Sequence, residues 1–135
     1  MEEIKNEKGA IMSYSQFKVS GQVTQLCEEV LRLTSKAPKK FRFSLCQRMD
    51  SLALSCLSDI YRANSLSLSN ESSQIQRQSF QSNALVTLKI LGTMGRIGTE
   101  NQCFTIGEYG VLSKKITACE QLIRRWIESD NQRVH

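Results

Sequence analysis

Apolar residues of this chain recur at alternating steps of three and four positions, and this spacing constrains the fold more than any other feature. The clearest run consists of Tyr109, Leu112, Ile116, Cys119, Ile123 and Trp126. Such steps place apolar side chains on one face of an α-helix, whereas a half-buried strand would need strict alternation. Pro38 is the only proline among the 135 residues, so helices can extend over most of the chain. The pattern therefore predicts an all-α fold.

Two apolar faces predict the first two helices. The first face consists of Val19, Val23, Leu26, Val30 and Leu33, widened by Cys27 and Leu31. The second consists of Leu45, Met49, Leu52, Ala53, Cys56, Leu57, Ile60 and Tyr61. The first helix must end before Pro38, because proline disfavours helical backbone in the residue that precedes it. The second helix is predicted to begin at Ser44, with Gln47 completing a capping box, and to run to about Ala63.

The third and fourth helices are predicted in the same way. The third begins at Ser73, with Gln76 as its capping partner, because serine and glutamine stand three residues apart. Its buried face is predicted to be Phe80, Ala84, Leu85, Leu88, Leu91 and Met94. The fourth begins near Ile106, where Thr105 and Glu108 form a capping box.

Three short connections join these helices, over residues 36–43, 65–72 and 95–104. Connections of this length join antiparallel neighbours. The sequence therefore predicts an antiparallel, up-down-up-down four-helix bundle over residues 14–130, with a flexible head at 1–13 and a flexible tail at 131–135. The glycine-rich residues 92–98 have some likeness to a phosphate loop, but they follow a helix and lack its Gly-Lys-Ser/Thr ending. We predict a helix stop and turn there.

The composition argues against most enzyme classes. His135 is the only histidine, so an internal imidazole triad or a histidine metal site is not expected. The cysteines, which lack any C-x-x-C spacing, are Cys27, Cys46, Cys56, Cys103 and Cys119. They are predicted to be reduced and mostly buried. We expect a non-catalytic protein without metal or cofactor, located in the cytoplasm and not in a membrane, because neither a signal peptide nor a long apolar run is apparent.

Residues 32–48 contain six basic residues and no acidic one, although the net charge of the whole chain is only +5. Lys39, Lys40 and Arg42 crowd the predicted start of the second helix, where the helix dipole favours acids. A phosphate backbone would explain these cations, and Phe41 and Phe43 could stack on unpaired bases. The alternative is that Lys36 caps the first helix, the other cations are solvated, and the two phenylalanines close the end of the core.

Four further arginines extend the predicted basic surface. Arg48 and Arg62 lie on the flank of the second apolar face, in phase with the seven-residue helical repeat. The alternative for Arg62 is an ion pair with Asp59 three residues earlier. Arg124 and Arg125 occupy the last turns of the fourth helix, where cations also suit the dipole. The candidate nucleic-acid-binding residues are thus Lys36, Lys39, Lys40, Arg42, Arg48, Arg62, Arg124 and Arg125.

Several segments together resemble a known family. They are the junction Lys36-Ala37-Pro38-Lys39-Lys40-Phe41-Arg42-Phe43, the ending Ile60-Tyr61-Arg62-Ala63-Asn64, the run from Ala84 to Leu91, and the pattern from Tyr109 to Ile127. In these segments the chain is similar to the small four-helix-bundle proteins that include the accessory variability proteins of diversity-generating retroelements and the proteins encoded in ribosomal-RNA intervening sequences. The resemblance covers roughly residues 15–130.

The resemblance implies an antiparallel bundle that assembles into a ring, typically a homopentamer, with a basic surface. In the retroelement branch such a ring binds the reverse transcriptase and the template RNA, and supports cDNA synthesis without an active site of its own. Carried over by position, the basic surface falls on Lys39, Lys40, Arg42, Arg48 and Arg62, with Arg124 and Arg125 as weaker members. A protein-only oligomeric adaptor without nucleic-acid binding is the competing interpretation.

Overall fold

Four helices form the body of the protein. The computed structural model describes the backbone of residues 3–5 and 11–134 and the side chains of residues 18–134. The helices are α1 (Tyr14–Ser35), α2 (Gln47–Asn64), α3 (Glu71–Glu100) and α4 (Ile106–Val134). Ahead of α1, the short strands β1 (Glu3–Lys5) and β2 (Ile11–Ser13) pair antiparallel. The prediction of a bundle of four helices is confirmed, whereas the paired strands β1 and β2 were not predicted. The flexibility of residues 1–13 and 131–135 stays a prediction, and residues 131–134 continue α4.

The helices enclose one apolar core. Each packs mainly against two others, in the order α1, α2, α3, α4 and back to α1. The predicted faces of α1 and α4 are buried from Val19 to Leu33 and from Leu112 to Trp126, which confirms the three-and-four spacing. Leu31 and Tyr61 are exceptions, because both point outwards and are 43% and 54% exposed. Within the described part of the chain, no helix is both long and apolar enough to cross a membrane.

Two of the three predicted capping boxes are wrong. The Thr105–Glu108 box is confirmed: the Glu108 N–H donates to Thr105 Oγ1 at 3.0 Å, and Glu108 Oε1 accepts from the Thr105 N–H at 2.9 Å. In α3 the cap is Asn70, whose side chain accepts a hydrogen bond from the Ser73 N–H at 2.9 Å. The helix therefore starts two residues before the predicted Ser73, because the extended backbone of Asn70 already caps the first turn.

The start of α2 also differs from the prediction. A 3₁₀ turn over Lys39–Phe41 and a π-helical turn over Arg42–Cys46 precede the regular helix at Gln47. Ser44 lies inside the π-helical turn and makes no cap, because the backbone is already helical from Lys39 onward. The predicted connection 36–43 therefore shrinks to residues 36–38, which include Lys36, while Lys39, Lys40 and Arg42 lie within the helical turns that follow.

The predicted helix stop over residues 92–98 is wrong, because α3 runs on to Glu100. A Cβ atom at Gly98 would lie 2.6 Å from the Phe104 ring and 3.0 Å from Leu45 Cδ2, and one at Gly95 would lie 2.8 Å from Leu112 Cδ2. These glycines thus serve close packing inside a helix, not a turn. The helix ends in a Schellman motif, in which the Cys103 N–H donates to the Gly98 carbonyl at 2.7 Å. The left-handed residue of this motif is Gln102, with φ 61°.

A buried ion pair ties α3 to α4. Arg77 Nε donates to Asp130 Oδ2 at 2.6 Å, and its second terminal nitrogen donates to Oδ1 at 3.0 Å. Gln81 Nε2 also donates to Asp130, at 2.9 Å, and Arg77 donates to the Leu66 carbonyl at 2.9 Å. The Arg77 guanidinium lies 5.2 Å from the centre of the Trp126 ring. This network satisfies a buried arginine and a buried aspartate with each other's charge.

The Gly98 packing predicts a destabilising substitution. Gly98→Ala should lower the free energy of unfolding by about 1–3 kcal/mol, because the added methyl group overlaps the Phe104 ring. Gly110→Ala is the matched control: Gly110 is helical and has no atom within 4 Å of its Cβ position, so the change should stabilise the protein slightly. Urea denaturation followed by circular dichroism measures both. Equal effects of the two substitutions would contradict this packing role.

The ion pair predicts a larger effect. Asp130→Ala should lower the free energy of unfolding by about 3–5 kcal/mol, because it leaves the Arg77 guanidinium buried without a partner. Glu100→Ala is the control, since Glu100 pairs with Arg96 at 3.2 Å on the exposed surface and should change stability little. Thermal denaturation of both variants is the measurement. A melting temperature for Asp130→Ala close to that of the control would show that the buried pair adds little.

Candidate nucleic-acid interface

The basic connection begins where α1 ends. Pro38, with φ −56° and ψ 140°, is the residue from which the 3₁₀ turn starts. Lys36, Lys39, Lys40 and Arg42 are all exposed. Among residues 18–134, none of these four cations is in a salt bridge. Lys39, Lys40 and Arg42 therefore place positive charge at the amino-terminal end of a helical segment, where the Phe41 and Arg42 N–H groups already donate to the Pro38 and Lys39 carbonyls.

The two phenylalanines of this segment have different environments. Phe41 is half-buried against the core, with Lys40 Nζ 5.2 Å from the centre of its ring. Phe43 is 73% exposed. The alternative in which both rings close the core is therefore correct for Phe41 and wrong for Phe43. Only Phe43 presents an open aromatic face.

Leu45 holds the basic connection against the rest of the bundle. It lies in the same π-helical turn as Arg42, three residues later, and is buried. Its side chain approaches Gly98 of α3, beside the buried Phe104. The position of the cations is thus set by a contact with α3, at the end of the bundle where α3 passes into α4.

A cavity of about 280 Å³ lies between the end of α1, the connection and the start of α2. Its lining residues are Leu31, Thr34, Ser35, Ala37, Pro38, Lys39, Arg42, Cys46, Gln47 and Asp50. Thr34 Oγ1 donates a 2.6 Å hydrogen bond to Asp50 Oδ1. The cavity therefore combines apolar walls, two cations and one oriented carboxylate.

The remaining predicted arginines are exposed but are not all near this cavity. Arg48 directly follows the lining residue Gln47, whereas Arg62 lies fourteen residues further, or about 21 Å along α2. Arg124 and Arg125 adjoin Trp126, whose ring contacts Arg77 at the Leu66 end of the bundle. The structure thus brings together Lys36, Lys39, Lys40, Arg42 and Arg48, and separates Arg62, Arg124 and Arg125 from them.

The suggested ion pair between Asp59 and Arg62 is wrong. Asp59 is buried and accepts a 2.8 Å hydrogen bond from Asn83 Nδ2. Since no salt bridge among residues 18–134 includes Arg62, its charge is also available at the surface.

The five cysteines are free and buried, as predicted. Burial raises the pKa of the Cys27 thiol to about 11 and that of Cys119 to about 12, and it raises the pKa of Cys56 as well. These thiols stay protonated at neutral pH, which makes them poor nucleophiles. Among the described residues, no group of three histidine, cysteine or acidic side chains is placed to hold a metal ion.

Two residues of the site, Thr34 and Asp50, are not predicted from the sequence. They line the cavity and share a hydrogen bond, although they stand on different predicted helices and neither is among the predicted site residues. The signal present in the sequence was that Asp50 is the first acid after residues 32–48. In comparisons with family models, with curated proteins and with solved structures, nothing matches the chain. Its function has to be argued from this site.

The contrast between the two phenylalanines yields a stability prediction. Phe41→Ala should lower the free energy of unfolding by about 1–3 kcal/mol, because it removes a ring that packs partly against the core. Phe43→Ala removes the same group from solvent, so it should leave the melting temperature unchanged. Differential scanning calorimetry of the two variants makes the comparison. A clear loss of stability in Phe43→Ala would show that this ring is not free for stacking.

Proposed function

We propose that this protein is a non-catalytic accessory subunit that binds nucleic acid, either template RNA or cDNA, and a reverse transcriptase in support of retroelement cDNA synthesis. The observation that carries the nucleic-acid part is the cluster of exposed cations at one end of the bundle, none of which is in a salt bridge among residues 18–134; its members are Lys36, Lys39, Lys40, Arg42 and Arg48. The reverse transcriptase is the partner that the resemblance described above implies.

The chemistry of this cluster suits a phosphodiester backbone. Lysine and arginine side chains neutralise phosphates and release bound counterions, which gives affinity without requiring a base sequence. Phe43 supplies an exposed ring on which an unpaired base can stack, and such stacking is typical of single-strand binding. A single-stranded or looped RNA therefore fits this surface better than a regular duplex.

Assembly is the second part of the proposal. Residues 77, 92 and 95 of α3 approach residues 130, 116 and 112 of α4. As residue numbers rise along α3, the numbers of the residues they approach in α4 fall, which supports the antiparallel, up-down-up-down arrangement.

A ring of copies is the assembly that the resemblance implies. In such a ring the basic ends would combine their charge, and a pentamer would carry about +25 formally, since each copy has a net charge of +5.

A protein-only adaptor remains the second candidate, and one observation favours it. Val86, Ile90 and Ile97 of α3 are 55%, 45% and 44% exposed. Their steps of four and seven place them on one face of the helix, which points away from the core. An exposed apolar stripe of this kind can pack against a second copy or a partner helix. It supports oligomerisation under both candidate functions.

The basic cluster predicts a salt-dependent loss of RNA binding. The triple variant Lys39→Ala, Lys40→Ala and Arg42→Ala should abolish retention of a structured RNA at about 150 mM salt, because it removes up to three phosphate contacts. Fluorescence anisotropy between roughly 50 and 300 mM salt is the measurement. The slope of log affinity against log salt should become shallower by about 2–3 in the variant.

A matched variant controls for net charge. Lys89→Ala, Lys114→Ala and Arg133→Ala remove the same three charges from exposed positions outside the cluster, and should reduce affinity far less. Equal losses in the two triple variants would reject the surface proposed here. If the unmodified protein shows no salt-sensitive RNA binding yet sediments as an oligomer, the adaptor function is favoured.

A further inference from the structure

The cavity beside the basic cluster has a composition that simple phosphate binding does not explain. Lys39, Arg42 and Asp50 are all among its lining residues. A bare phosphate would be attracted by the two cations and repelled by Asp50. The lining therefore suits a ligand that carries a negative charge at one point and hydrogen-bond donors at another.

A nucleotide has this combination of groups. Its phosphate is an anion, and its base presents N–H donors on the Watson–Crick edge. A cavity of about 280 Å³ lies near the lower limit for small-molecule sites, so it can hold one base but no peptide helix. Leu31, Ala37 and Pro38 supply apolar walls against which the faces of a base can pack.

We propose that this cavity binds one unstacked guanine of a single-stranded RNA, with Asp50 accepting hydrogen bonds from its Watson–Crick edge and with Lys39 and Arg42 binding the adjoining phosphates. This inference rests on the proposed function and adds a base preference to it. Thr34 is a positioning residue, because its hydroxyl group fixes Asp50 Oδ1 at 2.6 Å.

Guanine is preferred because the proposed acceptor is the carboxylate of Asp50, which has two oxygens. An ionised carboxylate is acceptor-only, and its two oxygens can accept a pair of parallel N–H donors. Guanine presents two adjacent donors, the ring N1–H and the exocyclic N2 amino group, whereas uracil presents one. Asp50 Oδ2 accepts no hydrogen bond from residues 18–134, so it is open to such a donor. Gln47, at the cavity wall, adds an amide that can donate to the guanine O6 atom.

The test uses three fluorescein-labelled RNA octamers that differ at one central position. One contains only uridine, one has a single guanosine, and one has a single inosine, which is guanosine without the N2 amino group. In anisotropy titrations, the guanosine octamer should bind about tenfold more tightly than the uridine octamer, with inosine between them. Because the inosine comparison changes only the RNA, it does not depend on the folding of any protein variant.

Asp50→Asn is the decisive protein variant. It keeps the size of the side chain and an acceptor oxygen for the Thr34 hydroxyl group. Its amide, however, has one acceptor oxygen where the carboxylate has two, so it cannot pair with two parallel N–H donors. The affinity ratio between the guanosine and uridine octamers should fall to about one, while uridine binding is kept. Glu128→Gln removes a negative charge from an exposed position outside the cavity and should retain the wild-type ratio.

Three outcomes of these titrations distinguish a failure of this inference from a failure of the proposed function. If the unmodified protein binds all three octamers equally and with strong salt dependence, the base site is overturned and RNA binding stands. A guanosine preference that persists in Asp50→Asn overturns the role of this carboxylate. Absence of salt-sensitive binding to any octamer overturns both proposals and points to a protein partner.

Discussion

The contact of Gly98 with Phe104 and Leu45 is the constraint on which the basic end of the bundle depends. Phe104 lies in the connection from α3 to α4, and Leu45 lies in the same π-helical turn as Arg42. Both side chains occupy space that any Cβ atom at position 98 would fill. Because Gly98 has no side chain, α3, the α3–α4 connection and the π-helical turn before α2 can pack together. This contact fixes the position of the lysines and arginines.

The two ends of the bundle differ in whether their charged side chains are paired and buried. At the Leu66 end, Arg77 and Asp130 bury their charges against each other and need no outside partner. At the end that carries Lys39 and Arg42, the cations are exposed, and no acid among residues 18–134 forms a salt bridge with them. A buried pair contributes to a specific helix arrangement, whereas an unpaired cation cluster attracts anions over distances near the Debye length. The first arrangement serves the fold, and the second is available for binding.

Much of the core could be predicted from the sequence, because helical periodicity is a local property. The steps of three and four identified the buried faces of α1 and α4, and Thr105 with Glu108 marked the start of α4. The basic segment was also visible, since an acid-free run of cations needs no tertiary information. The lack of metal or disulfide spacing also predicted free, mostly buried cysteines, and all five are free and buried. For these features, the identity of a residue and of its near neighbours is sufficient.

Tertiary contacts decided the rest. Sequence alone cannot tell a glycine that ends a helix from one that admits a neighbouring ring, so α3 was predicted to stop before Gly98. Nor can it distinguish Phe41, which packs on the core, from Phe43, which lies in solvent two residues later. The cavity that Asp50 lines arises only when α1 and α2 are side by side. The sequence by itself determined the helices and the charge of this protein, because both depend on local spacing; the close approaches and the shape of the site depend on residues far apart in the chain, and only the folded structure brings these together.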